Sequence, residues 1–362
     1  MASLFSRKKY LISGVGPGSN GVGRLMNALV PEYLSQGYQV FACRSPQPLR
    51  PLVETNSYWA VALEILARNI DKLFFTLRCL SIFRGEIVFL HPQRAGYLLL
   101  FFLVRFNKVN LYVMDNSFFC ICSYNTHPQT HSECFDCIGK PRPHRLCLPF
   151  PVRISKALNI FYLKYLHSIS SRLIFFAQNN LQKELLCLHF GEHIAVKVIG
   201  MSAESSILPN QNFGQANSHI ITSCRYDVVF HGVSNAPKGL FYVLELAKFA
   251  PELSFLVPDN KSNVVRITEI FPPSNVSCIE MSWESGLREA VSSARLVINP
   301  SMWSAPIEGA LIKSAQYNNN VATVFTLYAY EREILSIVNH LRLPRDPYAA
   351  SILLREFVEN LK

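Results

Sequence analysis

The feature that most constrains this chain is a regular alternation of short apolar runs with longer amphipathic segments. Apolar runs in the first half lie at residues 10–15, 38–43, 86–91, 109–115, 172–176 and 196–199. Segments with helical spacing lie between them, at residues 22–36, 59–83, 96–106, 155–166 and 180–190. Strands that alternate with helices in this way predict a parallel α/β sheet.

A second set of alternations follows in the other half of the chain. Strands are predicted at 227–230, 254–257, 276–280, 295–299 and 321–325, and helices at 240–249, 286–294 and 306–317. The 362 residues therefore suit two doubly wound domains, at about 150 residues per domain. We predict a first domain over residues 1–202, a polar linker at 201–218 and a second domain over 219–330. Residues 331–362 are predicted to form helices that pack back on the first domain.

Composition and charge narrow the choice of partner. Hydrophobic residues make up 49% of the chain and charged residues 17%, which excludes a disordered protein. The net charge of +10 divides into +12 over residues 1–202 and −2 over 203–362. Such a balance favours acidic partners: nucleic acid, an anionic membrane surface or a phosphate-bearing small molecule. Nucleic acid is disfavoured because the arginines are scattered rather than clustered in a stripe with stacking aromatics.

Hydropathy along the chain bears on its location. The longest uncharged apolar run, residues 95–104, stops at Arg105 and is shorter than the roughly 18 residues that a membrane span needs. The N-terminus looks like a first strand rather than a signal peptide, so we expect a cytoplasmic protein. Residues 73–84 mix large apolar and basic side chains. This pattern fits either a peripheral contact with a bilayer or a buried helix with one basic edge.

A glycine-rich loop follows the first strand. Residues 16–21 match G-x-G-x-x-G, the dinucleotide-binding pattern. That pattern wants an acidic residue about 20 positions on, where Cys43 and Arg44 stand instead. Arg44 would suit a 2′-phosphate, which keeps an NADP-dependent oxidoreductase open. The interpretation that we favour is an anion site at a helix N-terminus, built from Gly21, Gly23 and Arg24. A tight strand-to-helix turn is the structural alternative for the glycines.

Short motifs in the second half carry the most specific signal. His231-Gly232 ends a strand, Lys238-Gly239 opens a helix, and Glu308-Gly309-Ala310-Leu311 lies on a helix that follows Pro300-Ser301. With these blocks, Phe230–Lys248 and Ala294–Val324 resemble the retaining glycosyltransferases of family 4. The likeness extends over most of the chain to about residue 325.

The resemblance implies the GT-B fold, with two Rossmann-like domains facing a central cleft. It implies transfer of a hexose, with retention, from a nucleotide sugar to a surface polysaccharide or lipopolysaccharide intermediate. The donor-binding residues would be Gly21, Gly23, Arg24, Lys238, Gly239, Glu308, Gly309 and Lys313, and the catalytic residues His91, Asp115 and Glu308. Lys238 and the glycine loop would stabilise the charge that grows on the diphosphate, Glu308 would bind sugar or ribose hydroxyls, and His91 or Asp115 would hold the sugar or the acceptor.

Four positions depart from the family pattern. The family often has two glutamates with seven residues between them, and Ala305 and Lys313 stand at the positions counted for them. Val233 replaces a frequent arginine, and Met114 replaces the histidine of a His-Asp pair. A solvated lysine at a helix start would explain Lys238 alone, and the helix dipole would explain Glu308 alone. A non-catalytic GT-B scaffold that binds nucleotide or glycan therefore stays open.

Residues 117–151 interrupt the alternation and are rich in Cys, His and Pro, which predicts an insertion in the first domain. Cys134 and Cys137 have the C-x-x-C spacing of a zinc knuckle. With Cys120, Cys122 and Cys147 they are candidate ligands of a structural zinc. Thiols with packing roles, or an iron–sulfur or redox site, are the alternatives. No cofactor is expected to be required for catalysis.

Overall fold

The structure is a computed structural model that describes residues 7–18, 21–44, 57–152, 154–200, 225–306, 308–330 and 339–361. These residues form two compact units. The first unit comprises the described residues of Met1–Ser123, Asp136–Pro143 and Leu148–Ser206, and the second those of Tyr124–Phe135, His144–Cys147 and Ile207–Lys362. The linker predicted at residues 201–218 lies outside the described residues.

The first unit is a doubly wound α/β domain. Its strands are β1 (Lys9–Ser13), β2 (Tyr38–Ala42), β3 (Glu86–Leu90), β4 (Lys108–Tyr112), β5 (Leu173–Ala177) and β6 (Ala195–Val198). Its helices are α1 (Gly21–Ser35), α2 (Tyr58–Leu80), α3 (Pro92–Ala95), α4 (Tyr97–Phe106), α5 (Lys156–Ser168) and α6 (Asn180–Phe190). All strand pairs are parallel, in the order β2-β1-β3-β4-β5-β6. The order reverses between β1 and β3, which places a ligand-binding crevice at the carboxyl ends of those strands.

The second unit is also a doubly wound α/β domain. Its strands are β7 (Val228–Phe230), β8 (Phe255–Val257), β9 (Val276–Cys278), β10 (Leu296–Asn299), β11 (Asn320–Val324) and β12 (Asn339–Leu343). Its helices are α7 (Leu240–Phe249), α8 (Lys261–Thr268), α9 (Arg288–Ser293), α10 (Gly309–Tyr317) and α11 (Pro347–Glu359). The parallel order β12-β11-β10-β7-β8-β9 is that of the dinucleotide-binding fold. Its switch point lies between β7 and β10.

The strands read as continuous apolar runs because helices cover both faces of each sheet. In the second unit, Val228 and Phe230 belong to one buried cluster, and Val229 belongs to another on the opposite face. All three side chains are completely buried. Alternate residues of one short strand thus stabilise both layers of the domain, and the strand ends are held rigidly.

The C-terminal segment belongs to the second unit. Residues 339–361 form β12, which is an edge strand of the second sheet, and α11. Leu354 and Val358 of α11 complete the core of the second unit, and the Tyr242 hydroxyl donates to the Pro344 carbonyl at 2.8 Å. The apolar residues of α11 are buried because they pack against α7.

The cysteine-rich segment is irregular. Residues 117–151 form no helix or regular strand, only isolated bridges that pair Cys122 with Phe150 and Thr126 with Glu133. Tyr124–Phe135 and His144–Cys147 belong to the second unit and the rest of the segment to the first. An insertion in the first domain stays a prediction.

Candidate functional site

The candidate site of the second unit lies at the switch point between β7 and β10. His231 follows β7, and Asn299 ends β10. The backbone N–H of His231 donates to the Ile298 carbonyl at 3.0 Å, and the Asn299 side-chain amide donates to the His231 carbonyl at 2.5 Å. The two strand ends are therefore fixed to each other, and the loops that follow begin from one anchored point.

Lys238 and Glu308, which are 70 positions apart in sequence, meet at this point. The Lys238 ammonium donates to Glu308 Oε2, and the Ser301 hydroxyl donates to the same oxygen at 2.6 Å. The exposed fractions of the Lys238 and Glu308 side chains are only 14% and 9%. Because burial makes an uncompensated charge costly, each group depends on the other for stabilisation.

Lys238 is also held from two further directions. Its backbone N–H donates to Asn235 Oδ1 at 2.9 Å, which closes the loop after β7. Its ammonium stands 5.2 Å from the ring centroid of Trp303, within the range of a cation–π contact. The ammonium is thus positioned before any ligand arrives, which lowers the ordering cost of binding an anion.

Two buried polar atoms, one at the end of β10 and one in the loop that follows it, lack a hydrogen-bond partner among the described residues. They are the indole N–H of Trp303 and Oδ1 of Asn299, and both side chains are almost completely buried. Buried polar groups in native proteins are nearly always hydrogen-bonded. Unsatisfied atoms at a strand end therefore mark a place where a ligand atom or a water completes the site.

Gly239 is required where it stands. Its φ is +83°, and a Cβ added there would lie 2.1 Å from the carbonyl oxygen of Pro300. Only glycine combines this left-handed conformation with such a close approach of two backbones. The Lys238-Gly239 pair therefore reflects packing of the loop after β7 against the loop after β10 as well as the chemistry of the lysine.

A second cluster adjoins the switch point. The rings of His231 and Trp283 stack with centroids 5.2 Å apart, and the ammonium of Lys313 lies 4.5 Å from the Trp283 centroid. His231 Nδ1 lies 2.9 Å from the hydroxyl of Ser314. Burial, aided by the charge of Lys313, lowers the pKa of His231 to about 4. The imidazole is therefore neutral at pH 7 and acts as a flat, uncharged platform.

The first unit offers the start of α1. Gly21 begins the helix, Gly23 is buried in its first turn, and Arg24 is exposed beside it. The Gly18 N–H donates to the Gly23 carbonyl at 3.2 Å. Residues 19–20 of the glycine loop lie outside the described residues. Anion binding at this helix start stays a prediction.

Gly14 is a constrained position that the sequence did not single out. A Cβ there would lie 2.2 Å from the backbone nitrogen of Ala95 and 2.8 Å from the carbonyl oxygen of His91. The end of β1 therefore packs backbone to backbone against the turn after β3, across the switch point of the first sheet. The sequence signal was an isolated glycine at a strand end, which is common and not specific.

His91 and Asp115 line one pocket, at the carboxyl ends of β3 and β4. Gln93, Tyr97 and Ser117 also line this pocket. Asp115 accepts hydrogen bonds from the Gln93 amide at 3.2 Å and from the Ser117 N–H at 3.0 Å. Neighbouring parallel strands thus bring together two residues that are 24 positions apart.

His91 adopts φ 57° and ψ 59°, a left-handed conformation that non-glycine residues rarely take. Its Nδ1 is buried and has no hydrogen-bond partner among the described residues. Burial lowers the pKa of His91, and the nearby Asp115 carboxylate opposes the shift. A strained, buried and unsatisfied imidazole at a strand end fits a role in binding a polar ligand.

The five candidate zinc ligands divide between the two units. Cys120 and Cys137 share a side-chain hydrogen bond in the first unit, whereas Cys134 and Cys147 belong to the second unit. In the described part of the chain, no group of three or more His, Cys, Asp or Glu side chains is placed to hold a metal ion. A structural zinc at these cysteines stays a prediction.

The sequence missed the residues that surround Lys238 and Glu308. Ser301 was noted only as part of a motif, and Trp303 and Trp283 carried no signal of their own. They are aromatic or small polar residues in loops, and only folding shows that they flank a charge. A tryptophan two positions after a strand-end Pro-Ser is the one local cue that would have drawn attention to Trp303.

Comparison with known proteins supplies the fold. No family model matches the chain, and no curated protein matches it by sequence. Solved structures do match over nearly its whole length. HepE from Anabaena, in complex with UDP and glucose, has a TM-score of 0.56 at 12% identity and covers 98% of this chain and 90% of its own. A glycosyltransferase from Rickettsia africae has a TM-score of 0.52 at 12% identity, with coverages of 99% and 93%.

An α,α-trehalose-phosphate synthase (UDP-forming) from Burkholderia xenovorans, in complex with glucose-6-phosphate, is similar to the same extent. Its TM-score is 0.51 at 10% identity, and it covers 97% of this chain and 92% of its own. These proteins are GT-B glycosyltransferases. The chain has the GT-B fold. Identities this low show the fold alone, and the predicted architecture of two Rossmann-like halves is confirmed at that level.

Among the described helices of this GT-B chain, none is both long enough and apolar enough to cross a membrane.

Proposed function

We propose that this GT-B chain is a glycosyltransferase that uses a nucleotide-sugar donor and binds the donor diphosphate in its second unit. The observation that carries the proposal is the meeting of Lys238 and Glu308 at the switch point of the second sheet. The fold supports it, since HepE shares the fold and was solved with UDP and glucose. Lys238-Gly239 resembles the Lys-Gly of family 4, and Glu308 is the acid of the helix that corresponds to the family's Glu-bearing helix.

The chemistry needs both charges. When the bond between sugar and diphosphate breaks, negative charge grows on the phosphate oxygens, and a fixed ammonium stabilises it in a partly buried site. Lys238 Nζ is already positioned by Glu308 and Trp303. A bound diphosphate would replace Glu308 as its partner, and the freed carboxylate would accept hydrogen bonds from sugar or ribose hydroxyls. Lys313, on the same helix as Gly309, would be a second phosphate contact.

We extend the proposal to the acceptor and the stereochemistry. His91 and Asp115 line the pocket of the first unit, where a sugar hydroxyl would find one imidazole and one carboxylate. The excess of basic residues in the first half suits an acidic acceptor, such as a surface polysaccharide or lipopolysaccharide intermediate, free or linked to lipid. Retention of configuration follows from the resemblance to family 4.

A panel of UDP, GDP and ADP sugars tests the proposal. We expect one nucleotide class to raise the melting temperature, because a ligand that binds only the folded state stabilises it. The same donor should release nucleoside diphosphate slowly, and at an unchanged rate in excess EDTA, since no metal is required. Binding without release would favour the non-catalytic scaffold, and a shift with NADP alone would favour the oxidoreductase.

We also propose that α2 contacts an anionic bilayer. Only Glu64, Phe75 and Cys79 of its 23 residues are buried. Large apolar side chains are exposed along the helix, among them Trp59 at 82% and Leu73 at 58%. Lys72 and Arg78 are exposed on the same helix. Apolar groups beside cations suit the interface of an acidic membrane, where apolar burial and charge attraction add.

Sedimentation with vesicles tests this contact. The wild-type protein should pellet with vesicles rich in phosphatidylglycerol and much less with phosphatidylcholine alone. The double variant Trp59→Ser/Leu73→Ser should lose most of this binding. A control variant, Leu188→Ser/Phe271→Ser, removes equally exposed apolar side chains elsewhere and should bind as the wild type does. Equal losses in both variants would contradict a specific role of α2.

A further inference from the structure

A short piece of chain from the first half of the sequence folds with the second unit. It is Tyr124–Phe135, called here the arm. The arm doubles back on itself: Thr126 pairs with Glu133 in an antiparallel bridge, and the Cys134 N–H donates to the Asn125 carbonyl at 2.8 Å. Two of its side chains, Asn125 and Glu133, are buried in the second unit. Both contact the loop after β10.

Glu133 is the more heavily bonded of the two. Its carboxylate is fully buried. Oε1 accepts a hydrogen bond from the Ser304 hydroxyl, and Oε2 accepts from the Leu327 N–H at 2.9 Å and from the Arg345 guanidinium at 2.7 Å. A buried carboxylate with three donors is stable only while all of them remain in place. Glu133 therefore holds Ser304 in one position.

Asn125 also bonds to Ser304, through both the backbone and the side chain of the serine. Its Oδ1 accepts from the Ser304 N–H at 3.1 Å, and its Nδ2 donates to the Ser304 hydroxyl at 3.1 Å. Both the main chain and the side chain of Ser304 are thus bonded to the arm. A loop residue fixed at both ends has little freedom to move, and neither does the residue before it.

The residue before it is Trp303, whose ring lies over the Lys238 ammonium. The arm also touches this ring directly, because Tyr124 meets it edge-on with centroids 4.9 Å apart. Ser301, two positions earlier, donates to Glu308. The loop that the arm holds is therefore the loop that flanks the Lys238–Glu308 pair.

From these contacts we infer that Asn125 and Glu133 are positioning residues of the donor site, which they hold in shape through Ser304 and Trp303. The inference rests on the proposed function, because that function makes the site a donor site. The contacts themselves do not depend on the proposed function. The positioning role explains why a segment rich in cysteine and histidine carries a buried acid, because this acid bonds to a loop about 170 positions away.

The fluorescence of Trp303 reports whether the arm holds this loop in place. The chain has three tryptophans, so Trp59→Phe/Trp283→Phe leaves Trp303 as the only indole. Glu133→Gln keeps the size of the side chain but places an amide NH₂ against donors that need an acceptor. In this background we expect Glu133→Gln and Asn125→Ala to shift Trp303 emission to longer wavelength. Glu252→Gln removes an exposed ion pair with Arg355 and should leave the emission unchanged.

Kinetics in the otherwise wild-type chain test the link to the donor. We expect Glu133→Gln to raise KM for the donor about tenfold, equivalent to about 1.4 kcal/mol, with kcat nearly unchanged per folded molecule. A lower kcat at constant KM would mean only a smaller folded fraction and would overturn the positioning role. Unchanged Trp303 emission in both arm variants would overturn it independently. Failure of the wild-type protein to bind or turn over any nucleotide sugar would defeat the proposed function instead.

Discussion

Replacing Lys238 with alanine should lower kcat for nucleoside diphosphate release by about 10²–10³, because the site loses its preorganised positive charge. The loss should fall on kcat more than on the KM of the donor, since phosphate charge grows as the bond breaks. Steady-state assays with the donor identified by the panel measure both parameters. Activity near the wild-type level would remove Lys238 from the mechanism.

The control for this variant must address stability, because alanine at position 238 leaves the Glu308 carboxylate buried without its cation. The double variant Lys238→Ala/Glu308→Gln removes that unpaired charge and should regain much of the lost stability but none of the activity. Lys248→Ala changes an exposed lysine near the end of α7 and should leave both unchanged. Thermal unfolding of all three variants separates a loss of chemistry from a loss of folding.

Replacing Gly239 with alanine should destabilise the second unit by about 3 kcal/mol or more, enough to make the protein poorly soluble. The new Cβ would lie 2.1 Å from the Pro300 carbonyl oxygen, and the φ of +83° would be strained for alanine. Unfolding of this unit can be followed by Trp283 and Trp303 fluorescence in a Trp59→Phe background, which avoids treating two units as one transition.

Alanine substitutions at two further glycines separate the backbone strain from the steric clash as causes of the lost stability. Gly37 has a φ of +79° with nothing within 4 Å of an added Cβ, so Gly37→Ala should cost only the conformational strain, about 1–2 kcal/mol. Gly309 begins α10 in open space, so Gly309→Ala should be neutral or stabilising by up to about 1 kcal/mol. A Gly239→Ala variant as stable as Gly37→Ala would show that the loops after β7 and β10 separate easily.

Much of the fold could be predicted from sequence, because buried parallel strands are apolar throughout and cannot be mistaken for loops. β7 and β10 are such runs, and their prediction was correct to within one residue at each end. The predictions were less complete near the C-terminus. β12 was missed because its sequence, Asn339–Leu343, alternates polar and apolar residues at the edge of a sheet. Helix α8 was missed because its short sequence is mostly polar.

The candidate site likewise contains residues that the sequence predicted and residues that it did not. Lys238, Gly239 and Glu308 carry local signals, since a charged residue beside a glycine at a helix start is a recognisable motif. Asn125 and Glu133 carry none, because their partners Ser304 and Arg345 lie in the other half of the chain. The five cysteines predicted as zinc ligands are close in sequence and divide between the two units. Their metal binding stays a prediction.

The sequence by itself determined the two α/β halves, the strands that end at each switch point, and the charged and glycine residues that follow them. These are local properties, set by side-chain periodicity and by backbone conformations available to glycine. Only the tertiary structure decided that Lys238 pairs with Glu308, that Trp303 covers the pair, and that the arm fixes Trp303 through Ser304. Contacts between residues 70 or more positions apart depend on which strands lie side by side, and that order is a property of the folded sheet.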